Sequence, residues 1–163
     1  ADGWLPFLFV PEKSGQVWGE ALAAGKAKRQ EGLAPLEICA GGMVAIGEGP
    51  ETKALLDFAR PTVALYVGGM GARGKNFYND LAVKYGYEEE AREIQDLYLG
   101  GNKRDAEAEV PFELLEMTNL VGPASYVRER IAAFREAGVT NLQVLPASAD
   151  PAGLIGQLKE WVA

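Results

Sequence analysis

The run Leu36 to Ile46, LEICAGGMVAI, constrains this chain more than any other feature. It is apolar apart from Glu37 and is interrupted only by Gly41-Gly42, so it lacks the alternation of a strand with one face in water. A strand of this kind is buried on both faces, as strands of parallel sheets are. Helices must then cover the sheet, which makes the fold α/β. Paired glycines within a strand mark a bulge or a place where another backbone comes close.

The flanking segments fit that reading. Trp4 to Val10 reads as a buried strand, and Glu12 to Arg29 as a helix entered through Pro11 and closed by Gly32 and Pro35. Gly49-Pro50 opens a helix over Glu51 to Arg60 that Pro61 bends or ends. Thr62 to Val67 fits a strand or a buried helical stretch equally well. Further helices are expected over Asn76 to Lys84, around Ala91, Ile94, Leu97 and Tyr98, over Lys103 to Val110, Pro111 to Met117 and Ser125 to Ala137, and after Asp150-Pro151. A short strand falls at Leu142 to Leu145. Three strands are too few to close a barrel, which takes about eight. The first strand also has no turn or cap before it. Part of a larger fold is therefore expected.

Composition narrows the chemistry. The 163 residues carry 16 Lys+Arg against 23 Asp+Glu, a net charge of −7, with no histidine and one cysteine. Serine or cysteine triads that need an imidazole, histidine zinc sites, disulfides within the chain and multi-cysteine clusters are all excluded. The acidic balance argues against nucleic acid and anionic membranes as partners, and no apolar run approaches a membrane span. A cytoplasmic protein is expected. Gly69 to Lys75 has the G-x-x-x-x-G-K spacing of a phosphate loop, but Asn76 stands where a magnesium-binding Ser or Thr is required. It reads instead as a glycine-rich linker before a helix, although Arg73 and Lys75 could hold a phosphate or carboxylate. Glu88, Glu89, Glu90, Glu93 and Asp96 read as the solvent face and first turn of an amphipathic helix rather than a metal site. Cys39, in mid-strand, reads as a buried thiol. Trp4, Phe7 and Phe9 lie where the first strand runs out, either walling a pocket or filling the core.

The stretches ADGWLPFLF, PEKSGQVWGEAL, ALYVGGMGARGKNFYNDLAVKYGYEEEAREIQDLYLGG and LVGPASYVRERIAAFREAGVTNLQVLP together resemble the C-terminal half of the luciferase-like monooxygenase superfamily. Within it they look most like oxidoreductases that use the deazaflavin coenzyme F-420. The resemblance implies that residues 1–163 form the C-terminal part of a (β/α)8 TIM barrel of about twice this length, with extra helices and about three parallel strands. It implies a hydride passing between F-420 and a small substrate at the barrel's C-terminal face, with the carrier performing the redox chemistry. No catalytic residue and no metal are then expected in this part, and the chain alone is expected to be inactive.

Asp2-Gly3-Trp4 matches the family's Asp-Gly-aromatic element, so the resemblance makes Gly3 and Trp4 coenzyme contacts, with Arg73 and Lys75 meeting the coenzyme's anionic tail. Leu5, Phe7 and Phe9 would wall the substrate pocket. Sugar-phosphate-oxidising relatives carry Thr and Lys shortly after that element, where this chain continues Leu5-Pro6-Phe7-Leu8-Phe9-Val10, which implies an apolar substrate. FMN in place of F-420 is the near alternative. A non-catalytic half-barrel that binds or assembles is the other, since exposed strand edges favour docking onto a missing N-terminal half or a second copy in a homo-oligomer.

Overall fold

A computed structural model describes residues 1–162. Among them the elements run β1 (Gly3–Trp4), α1 (Ser14–Ala27), β2 (Glu37–Ile46), α2 (Pro50–Ala54), α3 (Arg60–Ala64), α4 (Phe77–Lys84), α5 (Glu88–Leu99), α6 (Lys103–Ala108), α7 (Phe112–Thr118), β3 (Leu120–Gly122), α8 (Ala124–Glu136), β4 (Asn141–Pro146) and α9 (Pro151–Val162). Single 3-10 segments occupy Pro11–Lys13 and Leu55–Ala59, and a π-helical turn occupies Leu65–Gly69. The chain divides into two compact units, Ala1–Leu55 with Met117–Ala163, and Leu56–Glu116.

The first unit is a parallel sheet organised on β2, the strand that the apolar run predicts. Gly3 and Trp4 align with Glu37 and Ile38, Leu120 to Gly122 with Val44 to Ile46, and Asn141 to Pro146 with Cys39 to Val44. Because Val44 aligns with both Leu120 and Pro146, β3 and β4 lie on opposite edges of β2. The glycine pair makes this possible. A Cβ at Gly41 would fall on the Gln143 carbonyl of β4, and one at Gly42 would fall on the Thr118 carbonyl and lie 2.6 Å from Asn119 Oδ1. Asn119 uses that same oxygen to accept from Met43 N at 2.7 Å, so its side chain completes the backbone pairing beside β2.

Helices cover this sheet through their spaced apolar positions. Val127, Ile131 and Phe134 of α8 and Leu154 and Leu158 of α9 form one cluster with Val44 and Leu120 of the sheet. Each such side chain, fully buried, contributes about 1.5–3 kcal/mol of transfer free energy. Arg130, on the same helix and itself buried, pairs with Glu12 and donates to the Met117 carbonyl at 2.6 Å.

The second unit is helical. The ambiguous Thr62 to Val67 segment resolves as helix, running through α3 into the π turn, with Pro61 tolerated in the first turn of α3. Buried Asn76 holds that turn from two directions. Its Nδ2 donates to the Tyr66 and Val67 carbonyls at 3.0 and 2.9 Å, while its Oδ1 caps α4 by accepting from Tyr78 N and Asn79 N. Asn79 Nδ2 in turn donates to the Val67 carbonyl at 3.1 Å and the Ala91 carbonyl at 2.7 Å, tying the turn to α5.

Two expectations need correction. The first strand is Gly3–Trp4 and does not continue to Val10, because Leu8 takes a left-handed backbone with φ of 55°. A strand alternates its faces and would turn every second residue outward. The bend at Leu8 lets Leu8, Phe9 and Val10 all be buried, and that gain exceeds the roughly 1–2 kcal/mol cost of a left-handed non-glycine residue. The sheet also holds a fourth strand, β3, three residues long and fully buried, too short to leave a period in the sequence.

Candidate functional site

In parallel α/β folds ligands meet the C-terminal ends of strands. In the first unit those ends are Trp4, Ile46, Gly122 and Pro146. Trp4 is half-buried there, edge-on to Phe9 at 6.1 Å and to Trp18 at 5.1 Å between ring centroids. Gly3 is exposed beside it, its backbone close to Glu37. The segment after β1 splits at Leu8. Leu5 is 64% exposed and Phe7 half-buried, whereas Phe9 is 3% exposed and packs against Phe134 at 6.0 Å. Of the three residues expected along a pocket wall, Leu5 therefore stands exposed just past the strand end and Phe7 is partly covered there. Phe9 belongs to the core.

Arg73 and Lys75 lie in the second unit, on the exposed loop between the π turn and α4. The glycines around them serve packing. A Cβ at Gly68 would lie 2.6 Å from Tyr98 Cβ and 2.9 Å from the Ile94 carbonyl, and one at Gly71 would strike the Lys75 carbonyl and lie 3.0 Å from Asn76 Cα. Gly74, with φ of 71°, supplies the left-handed turn at the loop's tip. The amides that a phosphate loop would offer at the following helix are satisfied by Asn76 itself, and a π turn rather than a strand leads into the loop. The linker reading thus stands over the phosphate-loop reading. Arg73 already donates to Asp96 at 2.6 Å, both side chains being substantially exposed.

Electrostatics act strongly on Tyr87 of the second unit. Tyr87 has its phenol pushed up from 10.0 to about 12 by burial, reinforced by the nearby Glu113 carboxylate, to which it donates at 3.2 Å, and by Glu90. The Glu88 to Glu90 run occupies the first turn of α5 as expected, with Ala91 and Ile94 on the buried face. Among the described residues no group of His, Cys, Asp and Glu side chains could hold a metal ion, and no helix is long and apolar enough to cross a membrane. Cys39 is half-buried in β2 rather than fully buried. Sequence reasoning missed Leu8, Asn119 and Asn76 as structural determinants. A Leu-Phe-Val run directly after a Pro-Phe step, too apolar throughout to alternate, is the one signal that could have exposed the first of them.

A parallel sheet covered by helices, with aromatic and apolar residues at a strand's C-terminal end, defines an α/β protein whose candidate site lies at the strand ends. Residues 1–141 match the family model for luciferase-like monooxygenases, and the chain belongs to that family. It is 34% identical over 151 residues to a Mycobacterium tuberculosis protein described as a coenzyme F-420-dependent oxidoreductase, covering 91% of this chain and 43% of that protein. It also superposes, with a TM-score of 0.66 at 19% identity, on the coenzyme F-420-dependent tetrahydromethanopterin reductase of Methanopyrus kandleri, covering 99% of this chain and 46% of that one. The chain spans less than half the length of either.

Proposed function

We propose that this chain forms the C-terminal part of an oxidoreductase that passes a hydride between coenzyme F-420 and a small apolar substrate. The observation that carries the reading is the 34% identity, over 91% of the chain, to a protein described as F-420-dependent. The donor set is compatible with it. A chain with no histidine supports redox chemistry if a carrier performs it and the protein supplies position and exclusion of water. Bound F-420 would supply the hydride-accepting ring. Half-buried Trp4 would meet the coenzyme at the end of β1 with exposed Gly3 beside it, and Leu5 and Phe7 would turn an apolar edge to the substrate. Arg73 and Lys75, on the exposed loop of the second unit, would offer cations to an anionic group, Arg73 exchanging its surface contact with Asp96 for the ligand at little cost. The remaining strands of the barrel would come from a further N-terminal half, in a homo-oligomeric assembly.

The test is to express the chain together with the N-terminal half of the M. tuberculosis relative and titrate the complex with F-420 and, separately, with FMN. The reading expects saturable F-420 binding, seen in the deazaflavin absorbance, and an affinity loss of roughly twofold to fivefold for each of Arg73→Ala and Lys75→Ala. Preference for FMN, or no binding of F-420 by a complex shown to be folded by circular dichroism, would overturn it.

A further inference from the structure

The first unit holds a cleft between α8, β4 and α9 with a volume of about 470 Å³, within the roughly 300–1,000 Å³ range of small-molecule sites. Eight of its twelve lining residues are apolar, among them Ile131, Phe134, Leu142, Val144, Ile155 and Leu158. Several of these, Leu142, Val144 and Ile155 included, are only half-buried, so the cleft opens an apolar surface to water. It lies along the N-terminal part of β4, away from the strand ends where the proposed coenzyme site falls.

The polar groups of the cleft define its ligand. Thr140 Oγ1 accepts from Ile38 N at 2.9 Å and donates to the Ile38 carbonyl at 3.3 Å, so its hydroxyl serves the sheet. The charged lining residues are Arg135 and Lys159, both exposed, and no Asp or Glu is among the described residues that line the cleft. In a chain of net charge −7, an apolar cleft bordered by two cations and no acid is the reverse of the overall balance. Arg135 gives one Nη2 donor to the Val162 carbonyl at 2.6 Å, which fixes the guanidinium at the cleft's edge and leaves further N–H groups for a ligand.

We propose that this cleft binds a small amphiphile, a carboxylate carrying a linear apolar chain, with the chain laid along Leu142, Val144 and Ile155 and the head group between Arg135 and Lys159. An apolar chain gains transfer free energy along the half-buried residues, and the head group meets the cations without leaving water. The site is independent of the F-420 reading.

The test is a heteronuclear NMR titration of the chain with octanoate, decanoate and decan-1-ol below their aggregation concentrations. The expected result is saturable one-to-one binding, with shifts in α8, β4 and α9. Affinity should rise roughly fourfold per added methylene. Lys159→Gln should lower decanoate affinity roughly twofold to fivefold and leave decan-1-ol binding unchanged. Ile155→Glu should abolish both. The proposal is overturned by no saturable decanoate binding, by equal loss of decanoate and decan-1-ol affinity in Lys159→Gln, or by concentration-dependent shifts of the same residues without ligand, which would mean that a second copy occupies the cleft.

Discussion

Single residues carry the constraints that the sheet imposes on this chain. Gly42 is the sharpest case, because any Cβ there would meet the Thr118 carbonyl and the Asn119 side chain, both of them buried. Gly42→Ala should destabilise the fold by about 1–3 kcal/mol, the usual cost of overpacking, with a lower denaturation midpoint in urea and little change in its slope. The need for a close approach was legible in the sequence as a glycine pair inside an apolar strand. What approaches was not, since residues 118 and 119 are brought there only by the fold. Tyr87 gives a second prediction. Its raised folded value, about 12 against the ordinary 10.0, means that the folded state holds the phenolic proton more tightly than the unfolded chain does. The stabilisation is therefore complete below pH 10.0 and is lost as the pH rises through about 12. An alkaline titration followed by phenolate absorbance should show a late-titrating component that is reduced by one tyrosine in Tyr87→Phe.

At the scale of elements, the π turn at Leu65–Gly69 shows how side chains repair irregular backbone. Two carbonyls near it, of Tyr66 and Val67, accept from Asn76, which also caps α4. Asn76→Ala removes the cap and leaves buried carbonyls short of donors, so a loss of about 2–4 kcal/mol is expected, read from thermal or urea unfolding. Asn76→Asp keeps the cap oxygen, loses the donors and sets a negative charge against two carbonyls, so it should not restore stability. Periodicity placed α5, α8 and α9 well, because each turns a spaced apolar stripe to a core. It failed at Thr62 to Val67 and at Leu120 to Gly122, where every residue is apolar or small and no period distinguishes helix from strand. The first strand failed for a different reason. Its apolar run continues past Trp4, but the left-handed Leu8 ends the extended backbone, and only the unbroken apolar run around that leucine, not the leucine itself, signals the change.

For the whole molecule, the two compact units each have their own buried residues and their own hydrogen bonds, which predicts separable local stability. In native-state hydrogen exchange, Asn76→Ala should lower protection within residues 56–116 while leaving the amides of β2 and β4 at wild-type protection; a uniform loss throughout the chain would show a single cooperative unit. The sequence by itself determined the α/β class, the position of the central strand, whose residues the structure leaves mostly half-buried rather than buried on both faces, the amphipathic helices and the family, because hydrophobic period and local motifs are properties of neighbours along the chain. It also excluded histidine as a catalytic group supplied by these 163 residues. Only the tertiary structure decided that Phe9 enters the core while Leu5 stays at the surface, that Arg73 is already paired with Asp96, and that an apolar cleft with two cations opens beside β4. Each of these depends on contacts between residues distant in sequence, and it is the packing of β2 against strands whose paired residues lie 76 and 102 positions later that fixes which side chains are buried and which remain free to meet a ligand.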